Sequence, residues 1–181
     1  MPNQPFNLDT FKMGYFILYR NTGGLFGNAI RKKQLAAGIS SDNAEYTHAE
    51  VSGGGRHSTN ISPPISKLVD ITEVHKGRHV RLVRLRNDEY EQGKRYKVAY
   101  FSATLCNKGY DLKGVLAFVF KWLKHDNRLW FCSEGVAWAL SMVFPEALGR
   151  KPEECMPGHF LDPNRFELVW EGGIGNGTKT D

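Results

Sequence analysis

The spacing of apolar residues changes period along this chain, and that change restricts the fold more than any single motif does. Gly14 to Arg20 (Gly-Tyr-Phe-Ile-Leu-Tyr-Arg) is rich in β-formers and ends at Asn21-Thr22-Gly23-Gly24, so it reads as a strand. Tyr46 to Ser52 reads as another, turned by Gly53-Gly54-Gly55 into an extended segment near His57 to Ile61. Pro63-Pro64 marks a loop, His79 to Arg86 alternates as a sheet strand, and Arg165 to Glu171 alternates as a closing one. Helical spacing dominates the later half. Asp88 is a cap for a helix carrying Tyr96, Val98, Ala99 and Leu105, which Asn107-Lys108-Gly109 breaks. Asp111 is a cap for a second helix, with Leu112, Val115, Leu116, Val119, Phe120 and Leu123 on its buried side. From Cys132 onward, Val136, Ala137, Leu140, Val143 and Phe144 keep helical spacing until Pro145 stops it. One earlier helix, Leu25 to Ala37, carries Phe26, Ala29, Ile30, Leu35 and Ala36 as apolar positions and Arg31, Lys32 and Lys33 as a solvated basic face. Strands mostly early and helices mostly late predict an α+β fold.

The predicted organisation is a flexible arm over residues 1–12, a single domain over 13–171 and a disordered Gly-rich tail over 172–181. No internal repeat or linker interrupts it. A net charge of +5 suits an anionic partner or surface. No arginine-rich block or nucleic-acid fingerprint accompanies it, so no nucleic-acid partner is expected. The glycine run at 53–55 lacks the Gly-Lys-Ser/Thr ending of a phosphate cradle, and no helix follows it. No stretch has the length of a membrane span: Val115 to Leu123 is too short and is broken by Lys121. Met1-Pro2-Asn3-Gln4-Pro5 shows no signal-peptide pattern, so cytoplasmic synthesis is the expectation. Cys106, Cys132 and Cys155 form no C-x-x-C pair, so a reduced protein is a simpler expectation than a Cys106–Cys155 bridge, and neither a metal centre nor a cofactor is expected.

Cys132 carries the chemical interest. It stands between the aromatic run Trp130-Phe131 and an amphipathic apolar run, at the expected first turn of a helix. Unpaired amides and the positive end of the macrodipole favour thiolate there, and the thiolate is the nucleophile. The competing reading is a small buried hydrophobe. A nucleophilic cysteine needs a base and a group that orients the base. Of six histidines, His48 is the best candidate, because in Thr47-His48-Ala49-Glu50-Val51 a strand would project His48 and Glu50 together. A carboxylate beside the imidazole fixes its tautomer and stabilises the imidazolium. The competing reading is a polar strand face open to water. His75 and His79 have four-residue spacing, but Gly77 lies between them and no helix is evident, so a metal pair is not expected. His57 lies near the glycine turn, and His125 and His159 read as surface residues.

These segments, taken in order, bear a likeness. The Gly-Tyr-Phe-Ile-Leu-Tyr-Arg strand, Tyr-Thr-His-Ala-Glu-Val, a basic-apolar strand, Gly109-Tyr110-Asp111, Phe131-Cys132-Ser133-Glu134, Met156-Pro157-Gly158-His159-Phe160 and a final Phe-Glu-Leu-Val-Trp strand follow one another. This resembles the circularly permuted NlpC-type papain-like cysteine hydrolases, the YiiX/YaeF-like group, over roughly residues 13 to 170. The resemblance implies a permuted papain-like fold, an antiparallel sheet or small barrel packed against helices, with the histidine strand before the cysteine helix. It implies Cys132 as nucleophile, His48 as general base, Glu50 as the polar third member, and the Cys132 N–H as part of an oxyanion hole. Tyr46 and Tyr110 are its candidates for substrate contact. The substrate it implies is a cell-wall (peptidoglycan) peptide amide, with a lipid-directed acyltransferase or thioesterase as the alternative. A phage-type protein reaching the wall through a virion or lysis fits the expected localisation. A non-catalytic binding module on the same fold is the third reading. Two departures stand out: Gly14-Tyr15 where relatives often carry Gly-Asp, and Ser133-Glu134-Gly135-Val136 where Ser-Glu-Leu-Val is usual. Gly135 is expected to weaken the helix slightly and open space above the thiol.

Overall fold

The computed structural model describes residues 5–87, 89–109 and 131–175. The expected caps Asp88 and Asp111, the helix expected after Asp111, Tyr110, His125 and residues 176–181 lie outside the described residues.

Among the described residues, six strands form one antiparallel sheet: β1 (Phe16–Arg20), β2 (Tyr46–Gly54), β3 (His57–Asn60), β4 (Lys67–Asp70), β5 (His79–Leu85) and β6 (Phe166–Gly173), in the order β4-β3-β2-β1-β5-β6. Among the helices are α1 (Leu25–Ala36), α2 (Ser41–Ala44), α3 (Ile71–Val74), α4 (Arg95–Ala103) and α5 (Cys132–Ser141), with a π-helical turn, Tyr90–Lys94, leading into α4. The fold is α+β, with the sheet packed against helices, as the change of period predicts. No helix among the described residues is long and apolar enough to cross a membrane.

Central placement explains the composition of β1. Flanked by β2 and β5, it has neighbours on both edges, and Phe16, Ile17, Leu18 and Tyr19 are all fully buried. On one face Phe16 packs against Phe160, Phe166 and Tyr90, whose hydroxyl donates to the Gly14 carbonyl. Gly14 takes φ +89°, and a Cβ there would lie 2.3 Å from the Arg95 carbonyl oxygen, so a side chain would push α4 off this end of the sheet.

The chain ends differ from expectation. Phe6 and Phe11 are not on a loose arm; with Trp170 of β6 they form a triangle of rings with centroids 5.6–5.8 Å apart, and Phe11 is 1% exposed. Alternation could not find this segment because the chain there is a single 3-10 turn, Leu8–Thr10, capped by Asn7. At the other end, β6 runs on to Gly173 and Ile174 is buried, its N–H donating to the Arg78 carbonyl at 2.9 Å. The expected tail therefore does not begin at 172.

The inner side of α1 also differs. Leu25, Phe26 and Leu35 are exposed, and Gln34 is fully buried instead. Its side-chain amide donates to the Ala44 and Tyr46 carbonyls and its oxygen accepts from the Gly158 N–H. Two of these bonds tie α1 to the approach to β2 and the third ties it to the turn Pro157–Leu161, a task no apolar side chain performs.

Candidate active site

Helix α5 begins at Cys132 as the spacing predicts. Phe131 precedes it in an extended conformation, and the Glu134 carboxylate reaches back to accept from the Phe131 N–H at 3.4 Å. A second tie is Ser133, whose hydroxyl donates to the Cys155 carbonyl at 2.8 Å. Cys132 is 4% exposed and packs with Ile61, Leu105 and Trp138, in a small apolar cluster apart from the main core. Gly135 makes that packing possible. A Cβ there would fall 2.2 Å from Ile61 Cδ1 and 3.0 Å from Leu105 Cδ1, so the room it leaves is filled by Ile61 rather than open above the thiol.

Strand β2 supplies the partners. Tyr19 pairs with His48 and Ile17 with Glu50 across β1 and β2, so these side chains share one face of the sheet. His48 Nε2 and Glu50 Oε1 are 3.0 Å apart, which leaves Nδ1 as the nitrogen free to face a thiol. Charge attraction and hydrogen bonding to His48, together with the Ala49 and Ser133 N–H groups, favour the ionised form of the Cys132 sulfur. The fold thus brings Cys132, His48 and Glu50 together from distant parts of the chain.

Electrostatics follow from this packing. Burial opposes charge on the imidazole of His48, but the Cys132 and Glu50 charges and hydrogen bonds outweigh it and raise its pKa to about 10. Burial likewise pushes the Cys132 thiol up; the attraction of His48 and the two amides reverses this and brings it below the ordinary value. The favoured state of the pair is thiolate and imidazolium. Glu50, fully buried, is held well below the usual carboxylate range despite its burial, chiefly by hydrogen bonds from His48 and His75.

Three donors around Glu50 carry no spacing signal that links them to it. The Tyr19 hydroxyl donates to Oε2 at 2.9 Å, the Ser58 hydroxyl donates to the same oxygen, and His75 Nε2 lies 2.7 Å from Oε1. Tyr19 belongs to a strand that its β-formers mark, and its pairing with His48 follows only from register. His75 and His79 do not pair. His75 ends α3 and turns to Glu50, whereas His79 on β5 reaches Glu171 of β6 at 3.0 Å. The liganding atoms of His48, Glu50 and His75 lie within 4.8 Å of one another, a spacing that a first-row ion could bridge. Both imidazoles are already satisfied as donors to one carboxylate oxygen, so hydrogen bonding accounts for the cluster without an ion.

Tyr46 does not join this group. Tyr19 pairs with His48 but Arg20 pairs with Tyr46, so Thr47 is an extra residue in β2 and Tyr46 turns to the opposite face. Its hydroxyl donates to Glu171 at 2.9 Å, and the Arg81 guanidinium lies 4.7 Å above its ring. Tyr46 is 2% exposed there, away from the thiol and unavailable for the substrate contact expected of it. His159, expected at the surface, is partly buried: Nδ1 accepts from the Met156 N–H at 3.0 Å and Nε2 lies 2.7 Å from Arg150 Nη1. All three cysteines are free. No protein-family model matches the chain, and no curated protein is significantly similar to it.

Proposed function

We propose that the protein is a cysteine hydrolase that works through an acyl-enzyme, with Cys132 as nucleophile and His48 as general base. The observation that carries this reading is the placement of Cys132 at the start of α5 in the electrostatic reach of His48, backed by the His48–Glu50 contact. The Cys132 sulfur adds to a carbonyl carbon, and the oxyanion forms beside the helix start, where the Cys132 N–H has no intrahelical acceptor. Collapse breaks the bond to the leaving group, which takes the proton from His48 Nδ1. Water then adds to the thioester, giving its proton to His48, and collapse releases the acid and the Cys132 thiolate beside the imidazolium. Glu50 keeps Nε2 protonated, so that Nδ1 is the lone-pair nitrogen whenever the ring is neutral.

For the substrate we propose an amide of a cell-wall peptide, the class implied by the family resemblance and compatible with the basic charge. One observation favours a second reading, a fatty-acyl amide or ester. The sulfur lies among Ile61, Leu105 and Trp138, neighbours that suit an apolar acyl group. Incubation with muropeptides and with acyl-lipids in parallel, with Cys132→Ala as the blank, separates the two. Product in one arm that is lost in the variant identifies the class, and product that survives the substitution rejects the mechanism. Iodoacetamide labelling tests the thiolate directly. Cys132 is expected to alkylate at pH 6–7 well above the rate of an ordinary thiol with a pKa of about 8.5. An ordinary rate would favour a binding module with an inert cysteine.

A further inference from the structure

Glu50 makes an unusual demand on its surroundings. A carboxylate has about four lone-pair sites, two on each oxygen. All four are taken: Tyr19 and Ser58 at Oε2, His48 and His75 at Oε1. His48 lies on the same strand, but the other three donors come from β1, β3 and the end of α3. His75 is set there by local structure. Asp70 caps α3 by accepting from the Thr72 N–H at 2.9 Å, and the His75 N–H closes the turn on the Ile71 carbonyl at 3.0 Å. The imidazole then lies 4.3 Å from the Tyr19 ring centroid, with its side chain 8% exposed.

We propose that His75 is a positioning residue for the acyl-transfer reaction, acting through Glu50 by sharing Oε1 with His48. This rests on the reading of Cys132 and His48 given above. Two N–H groups on one oxygen hold the carboxylate in a single rotamer and divide its charge between two rings. His48 is thereby oriented without being bound so strongly that its imidazolium cannot release a proton to the leaving group. Among the described residues, the charged and titratable groups facing this cluster are Cys132 from α5, Tyr19 from β1, and Arg78, whose guanidinium is 5.6 Å from the Tyr19 ring. None of these three donates to Oε1.

The test uses alkylation of Cys132 by iodoacetate. This anionic probe is drawn to the site by the imidazolium, so its rate falls as His48 deprotonates. In His75→Leu the undivided Glu50 charge falls on His48, and the alkaline limb is expected to move to higher pH, on the order of one unit. His75→Gln, whose amide can donate to Oε1, is expected to restore the wild-type limb. A folded His75→Leu variant whose limb matches wild type would overturn the proposal. If that variant does not fold, NMR of the imidazole nitrogens in the wild-type protein decides. Both Nε2 atoms are expected to carry protons, and a His75 protonated only at Nδ1 rejects the shared oxygen. Failure of the underlying reading is distinct: it appears as an ordinary alkylation rate for wild-type Cys132 at pH 6–7, whatever the state of His75.

Discussion

A carboxylate without solvent persists as an anion only where donors replace the lost water, and Glu50 has four such donors. Glu50→Gln keeps the shape but removes the charge and turns an NH2 group toward groups that donate. It is expected to lower thiolate reactivity at pH 6.5 by about 10²-fold or more, measured by iodoacetamide labelling, because His48 loses the anion that favours its protonation. Glu50→Ala leaves the donors unpaired and is expected to cost about 3–5 kcal/mol in urea unfolding. Stability should depend on pH at both ends. Glu50 has a depressed folded pKa, so its contribution is fully present above the unfolded value of 4.5 and is lost as pH falls through the folded one. His48 has a raised pKa, so its contribution is fully present below 6.5 and is lost as pH rises through about 10. The His48–Glu50 relation was legible because alternation is a local property of a strand. Tyr19, Ser58 and His75 were not, because what they share is a place in space and not a spacing in sequence.

At the scale of elements, α5 shows how a residue that weakens a helix can be required by its packing. Gly135→Ala gains about 1 kcal/mol of helix propensity but drives a methyl into the fully buried Ile61, and overpacking of this kind costs about 1–3 kcal/mol. The expected net effect is destabilisation. Adding Ile61→Val, which removes the Cδ1 atom, should recover it in a double-mutant cycle of denaturation midpoints. A stabilised single variant would show that Ile61 yields easily. Helical spacing correctly gave the start of α5 and the existence of α1, but it left the inner side of α1 undetermined. Phe26 and Leu35 have the character of buried residues, yet Gln34 takes the interior because three backbone groups there need partners. A single extra residue at Thr47 similarly sends Tyr46 to the far face, and no composition signal marks such a bulge.

Across the whole molecule, the first turn of the chain is joined to the last strand. Phe11→Ala is expected to cost about 3–5 kcal/mol in thermal or urea unfolding, because its ring lies between Phe6 and Trp170 with almost no exposure. A change within about 0.5 kcal/mol would restore the picture of a loose arm. The sheet order works in the same long-range way. β1 lies between β2 and β5, so the Tyr19 hydroxyl reaches Glu50, while the end of α3, which follows β4, brings His75 to the same carboxylate. By itself the sequence determined the kinds of element and most of their positions, the helix start at Cys132 and the common face of His48 and Glu50. Each of these is set by backbone geometry within a few residues. Only the tertiary structure decided that Cys132 meets His48, that Glu50 is buried among four donors, and that Tyr46 is elsewhere. Those outcomes depend on register, on the one-residue bulge and on which side chains fill the space left between elements, and these are properties of the packed chain and not of any one segment.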